Sequence, residues 1–169
     1  LSAGSMLRDN WSKIPYVFTQ CEDINYRSVA PIQDTPANCI THSAQVMGKN
    51  AFVPKMSANE TGTAQYNDTV KVTAFRNDIS MPPYIMALAM GDLEYDRFLG
   101  SRVGVITEPS QVEAVASELE DMTLLDAVEA CMGPYIWSNY TLPPTFPFGG
   151  MENPLLTFAS PTIIVGDKS

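Results

Sequence analysis

The sequence is short of charge and of histidine and has no paired cysteine motif, and each lack closes off a class of function. Asp, Glu, Lys and Arg make up 17% of its 169 residues, against about a quarter in an ordinary globular chain. The longest unbroken apolar run, Tyr84 to Met90, is far below the roughly 20 residues that a membrane-spanning helix needs. No membrane partner is expected. The one histidine, His42, cannot by itself build a zinc site, which draws on several His, Cys and carboxylate ligands. Cys21, Cys39 and Cys131 are odd in number and widely spaced, with no CxxC. That spacing argues against a disulfide framework or zinc knuckle and reads as reduced, intracellular thiols. No GxSxG, P-loop or GxGxxG string occurs, so the chain has no self-sufficient catalytic constellation.

What is present is apolar and lopsided. Apolar residues make up 45% of the chain, and a chain of this length can bury about 70% of the surface that it exposes when unfolded. Residues 1–90 carry seven basic and seven acidic side chains; residues 91–169 carry three basic (Arg97, Arg102, Lys168) and twelve acidic ones, so the whole net charge of −9 falls in the second half. A nucleic-acid partner needs clustered Lys and Arg, and none is expected here. An acidic, solvated helix face covers most of the asymmetry. No signal-like leader opens the chain and Leu1 is not an initiator methionine, so the ends read as cut from something longer. Four glycosylation sequons, at Asn10, Asn59, Asn67 and Asn139, leave secretion open beside a cytoplasmic location.

The pattern divides the chain into a strand-rich first half and a second half that starts with helices. Ala37 to Val46 alternates Ile40, His42, Ala44 and Val46 on one face with Cys39, Thr41, Ser43 and Gln45 on the other, a half-buried strand on which His42 is expected to be packed and hydrogen-bonded. Tyr16 to Gln20 and Thr69 to Phe75 read as further strands, with a turn at Pro31 to Pro36 and a loop from Ser57 to Asp68. The period then changes. Pro109 suits a first helical turn with Val112, Val115 and Leu119 at helical spacing; Leu124, Leu125, Val128 and Met132 come next, capped by Asp121 or Thr123 and stopped by Gly133-Pro134. Met86, Met90, Met122 and Met132 read as core filler on apolar faces. Strands are expected again at Tyr135 to Tyr140, Leu155 to Ala159 and Thr162 to Val165. The charge switch and the period switch coincide, placing a domain boundary between residues 91 and 100.

One string carries chemistry. In Pro147-Phe148-Gly149-Gly150-Met151-Glu152-Asn153-Pro154, two consecutive glycines strip side chains from a segment, so another backbone can approach and pair with it as an added strand. Glu152 would then stand at the end of that groove; an ordinary glycine turn with an exposed Glu is the plainer reading.

This string resembles the GxMEN signature of peptidase family M1, the zinc aminopeptidases, in the form seen in its leukotriene A(4) hydrolase-like branch. Phe18-Thr19-Gln20-Cys21-Glu22, continuing to Arg27 and Pro31-Ile32-Gln33-Asp34-Thr35-Pro36, is similar to a second segment of that family, in its saddle domain. Weaker echoes at Tyr84 to Glu94, Gly133 to Trp137 and Ala159 to Ser169 extend the likeness over about residues 15–169. The resemblance implies an α+β fragment: residues 1–95 as the latter part of a β-rich saddle domain, and 96–169 as the beginning of a thermolysin-like (gluzincin) catalytic domain that ends before the HExxH zinc helix. Zinc would be a cofactor of the full-length enzyme, its ligands outside this chain. The partners implied are peptides with a free amino terminus and the remainder of the parent chain. Carried over residue by residue, Glu22 and Glu152 would receive the substrate ammonium and Gly149 and Gly150 its backbone. Gln20 and Cys21 would line the first side-chain pocket, and Pro147, Phe148 and Met151 complete the binding segment. No catalytic or metal-binding residue is implied within the chain, and the fragment alone is expected to be inactive.

There are departures. Glu22 stands where the leukotriene A(4) hydrolase-like branch has Gln, which suits an ammonium and opposes a fatty-acid carboxylate. Phe148 replaces a common Tyr, and Tyr140 to Pro143 is shorter than in that branch. Epoxide hydrolysis and a non-catalytic binding module remain as alternatives.

Overall fold

The computed structural model describes residues 5–7, 16–97, 102–110, 112–113, 115, 124–142 and 149–160. The chain divides into two compact units, 1–93 and 94–169.

In the first unit, strands β1 (Ser5–Leu7), β2 (Tyr16–Phe18), β4 (Val53–Met56) and β7 (Leu88–Gly91) form a sheet of order β1-β2-β7-β4. Strands β3 (Ile40–Lys49), β5 (Asn59–Asn67) and β6 (Val70–Met81) form a second, of order β3-β6-β5. The period-two pattern of β3 is realised: its even-numbered residues are half-buried and its odd-numbered ones exposed. They enclose a cluster of Met56, Ala58 and Phe75, with Ala44, Val46 and Leu88 packed on it. Strands β3, β4, β6 and β7 each contribute to this layer, and in β3 it is the half-buried face of a period-two alternation that does so. Close approach is written into two glycines. A Cβ on Gly48 would lie 2.9 Å from the Met90 sulfur, and one on Gly91 would lie 2.6 Å from Tyr16 Cβ.

In the second unit, β9 (Val103–Thr107) lies between β8 (Glu94–Arg97), antiparallel to it, and β10 (Tyr140–Leu142), parallel to it. The parallel pair needs a crossover, and helix α1 (Leu124–Met132) lies within it. Gly133, at φ +92°, donates its N–H to the Glu129 carbonyl and ends the helix before Pro134, as the sequence implies. Gly150–Met151 (β11) and Phe158–Ala159 (β12) make a short antiparallel pair.

Several expectations are corrected. Ser57 to Asp68 is not a loop: most of it is β5, exposed at every residue. A strand that buries no side chain has no hydrophobic alternation to betray it. Tyr135 to Asn139 is irregular, and the strand begins only at Tyr140. Leu155 sits at φ +65° in a turn, so the strand there is confined to Phe158–Ala159. Strand β2 ends at Phe18. Val128 and Met132 are exposed, Met132 at 83%, so the apolar stripe of α1 is not wholly core. His42 is packed but not hydrogen-bonded, since both ring nitrogens are buried without a partner. Pro109 stands in a turn, not in the described helical residues. Leu119, Asp121, Met122, Thr123 and Thr162 to Val165 lie outside the described residues.

Candidate functional site: two recognition segments

The predicted residues fall into two segments, one in each unit. In the first, Thr19 prolongs the β2–β7 ladder: its N–H donates to the Leu88 carbonyl at 2.9 Å and its Oγ1 accepts the Leu88 N–H at 2.9 Å. This pair of bonds fixes where the chain leaves the sheet. Gln20, Cys21 and Glu22 come directly after it, half-buried, buried and exposed respectively. Gln20 Oε1 accepts the Glu22 N–H at 3.3 Å. Asn25 closes the turn, giving its N–H to the Cys21 carbonyl (2.8 Å) and its Nδ2 to the Glu22 carbonyl (2.9 Å), the local role that short amide side chains take in turns. Burial, then the nearby Asp34 carboxylate, pushes the Cys21 thiol up to about 11. It is therefore a buried, protonated thiol at neutral pH, not a nucleophile.

Asp34 supports this turn from below. Its side chain is fully buried; Oδ2 accepts the Arg27 N–H at 3.0 Å, and Arg27 Nη2 donates to the Asp34 carbonyl at 2.6 Å. The guanidinium Nε stands 3.8 Å from Oδ2, while Oδ1 has no hydrogen-bond partner.

The second segment is the glycine pair together with the turn at residues 152–157. Gly149 takes φ +63°, a left-handed conformation natural to glycine, and its carbonyl accepts the Ser160 N–H at 2.7 Å. Met151, opposite Phe158, is buried, while Glu152 is exposed. The turn beyond Glu152 is tied down on three sides. The Asn153 carbonyl accepts the Leu156 N–H (3.1 Å), and Asn153 Nδ2 reaches the Met151 carbonyl (3.4 Å). Thr157 gives its N–H to the Thr141 carbonyl of β10 at 2.8 Å. The Leu155 backbone hydrogen-bonds Tyr135, whose hydroxyl is pushed up to about 12 by burial first and the neighbouring Tyr140 second.

Tyr135 is itself held firmly. Glu129 accepts the Tyr135 N–H at 2.7 Å and pairs with Arg102, which donates to the Tyr135 carbonyl at 3.1 Å and stands 5.9 Å from its ring centroid. These bonds keep the Glu129 carboxyl below its usual range. Exposed Glu152 thus projects from a braced turn. Pro147 and Phe148 lie outside the described residues. Asp34, Tyr135 and Thr157 are supporting residues that sequence reasoning did not assign. Asp34 and Tyr135 stand within segments that resemble the family, but nothing in those strings reveals a buried carboxylate or a half-buried tyrosine bonded to a turn.

Among the described residues, no group of three or more His, Cys, Asp or Glu could hold a metal ion, and no helix is long and apolar enough to cross a membrane. Two open depressions, of about 420 and 300 Å³, lie along β3 and β6 and contain no residue of either segment. They are features of a sheet face, and the chemistry of the motifs outweighs their size.

No protein-family model matches the chain. It is 39% identical over 161 residues to leukotriene A-4 hydrolase of Xenopus laevis and 40% identical over 161 residues to leucine aminopeptidase 2 of Pyricularia oryzae, in each case across 92% of this chain and 26% of the relative. The chain thus spans about a quarter of the length of these relatives. Among solved structures, native yeast LTA4 hydrolase is similar at a TM-score of 0.81 and 31% identity, covering 92% of this chain and 24% of that one. Yeast LTA4 hydrolase in complex with bestatin is similar at 0.81 and 29%, covering 99% and 27%. Over the residues it spans, the chain is a homologue of the leukotriene A-4 hydrolases and leucine aminopeptidases of peptidase family M1.

Proposed function

We propose that this chain is the part of a zinc aminopeptidase that recognises the free amino terminus of a peptide. The observation that carries the reading is exposed Glu152, placed after two glycines on a turn braced by Asn153, Thr157 and Tyr135. An ammonium leaves water only at a large cost unless carboxylates receive it. Glu152 and Glu22 are the receivers, Gly149 and Gly150 accept the substrate backbone, and Gln20 and Cys21 form the wall of the first side-chain pocket, with Pro147, Phe148 and Met151 completing the segment. Blocking the amine removes the ion pairs, and losing one partner of a buried pair costs about 3–5 kcal/mol. Residues 1–95 are assigned to a saddle domain and 96–169 to the start of a thermolysin-like domain. The zinc is assigned to residues outside this chain, and no step is routed through it. A cytoplasmic location and peptide substrates complete the reading.

The test uses the complete parent protein: Glu152→Ala and Glu22→Ala each lower kcat/KM for free-amine substrates at least a hundredfold. Equal turnover of acetylated and free substrates by the unaltered enzyme would refute the proposal. The name of the Xenopus relative supports a second reading, epoxide hydrolysis, which Glu22 disfavours; turnover of a fatty-acid epoxide by the parent protein would establish it.

A further inference from the structure

Asp34 is a fully buried carboxylate whose charged partner among the described residues is a half-exposed guanidinium and whose Oδ1 has no hydrogen bond. Burying an ion in this way is costly, and a core position would be better filled by an apolar residue. Its contacts show where it acts. Every bond that Asp34 makes to Arg27 holds the 22–30 turn against the chain that returns at residue 34. That turn starts at Glu22 and is closed by Asn25 on the Cys21 and Glu22 carbonyls. Within it Tyr26 is buried, close enough to Cys21 for the two groups to interact.

We propose that Asp34 is a positioning residue for amine binding: through Arg27 it fixes the turn that presents Gln20, Cys21 and Glu22, and so sets where the Glu22 carboxylate stands. This rests on the reading of Glu22 as an ammonium receiver. Arg27 is the other half of the device, since its backbone N–H and its guanidinium reach the same residue by separate bonds. The negative charge of Asp34 also bears on Cys21, next to Glu22, second to burial, which gives a readout of that charge separate from KM.

The experiment measures KM and kcat of the parent enzyme for an amino-acid p-nitroanilide, with the pH profile of Cys21 alkylation. Asp34→Asn raises KM about tenfold with kcat within twofold, and shifts the alkylation profile to lower pH because the adjacent charge is gone. Arg27→Ala, at a half-exposed side chain, raises KM in the same sense and serves if the Asp34 variant does not fold. An unchanged KM in a folded variant whose alkylation profile has moved overturns the inference. If Glu22→Ala also leaves KM unchanged, the amine-recognition reading fails; if Glu22→Ala raises KM and the Asp34 and Arg27 variants do not, only the positioning role fails.

Discussion

Alanine at Gly149 and at Gly150 separates what the glycine pair does for the fold from what it does for a substrate. At Gly150 a Cβ would meet the Phe158 carbonyl oxygen at 3.5 Å and Glu152 Oε1 at 3.7 Å, both ordinary contacts, and φ is not positive. Alanine there is tolerated, and the loss of a glycine from the unfolded chain contributes about 0.4–1 kcal/mol of stability. At Gly149 there is open space but φ is +63°, and left-handed backbone costs a residue with a Cβ about 1–2 kcal/mol. The two variants are therefore expected to differ by about 2 kcal/mol, or about 1 M in urea midpoint at a slope of about 2 kcal/mol per M. Activity should follow the opposite order of harmlessness. If Gly150 receives the substrate backbone as proposed, Gly150→Ala is expected to lower kcat/KM of the parent enzyme about tenfold or more, equivalent to about 1.4 kcal/mol of transition-state stabilisation, because its methyl takes that space. Urea titration of both variants and steady-state kinetics of Gly150→Ala decide it. A Gly150→Ala enzyme with wild-type kcat/KM, or one as destabilised as Gly149→Ala, refutes the reasoning.

Burial keeps His42 below the usual imidazole range, so the unfolded chain takes up its proton first and stability should fall as pH drops below about 6.5. His42→Leu removes that dependence and, by replacing two unpartnered nitrogens, is expected to raise stability by about 1 kcal/mol; a thermal melt that keeps its slope between pH 7 and 5 in the variant would count against this. Glu129 is depressed by Arg102 and the Tyr135 N–H, so its contribution is complete above the ordinary carboxylate value and lost as pH falls through the lowered folded value. Glu129→Gln should therefore flatten the acid limb of the stability curve, read by circular dichroism below about pH 4.5. Gly91→Ala drives a methyl to within 2.6 Å of Tyr16 Cβ and 3.3 Å of its Cα and is expected to cost about 3 kcal/mol. Gly48→Ala comes too close only to the movable Met90 sulfur, its other neighbours lying at ordinary contact, and should cost less; equal urea midpoints would show that the Tyr16 backbone can yield.

The strands with one buried face were legible. Strand β3 declares itself through Ile40, Ala44 and Val46, and α1 ends at Gly133-Pro134 because those two residues can do little else. Strand β5 was hidden because a polar edge strand takes its stability from the ladder to β6, which leaves no mark on side-chain chemistry. Leu155 misled in the opposite sense: an apolar side chain in an apolar run suggests a strand, but here the Tyr135 bond and the Asn153 turn hold it at φ +65°. The motif residues could be picked from the string alone. Their supports could not, since Asp34–Arg27, Tyr135–Leu155 and Thr157–Thr141 join residues whose proximity the fold creates.

Strand β5 has a practical consequence. All nine of its residues are exposed, and the tip that joins it to β6 is knotted locally by Asn67, whose Oδ1 accepts both the N–H and the hydroxyl of Thr69. Nothing in the Met56–Ala58–Phe75 layer depends on what that strand displays. Its exposed side chains therefore offer a place where a label or affinity tag can be grafted without entering that layer.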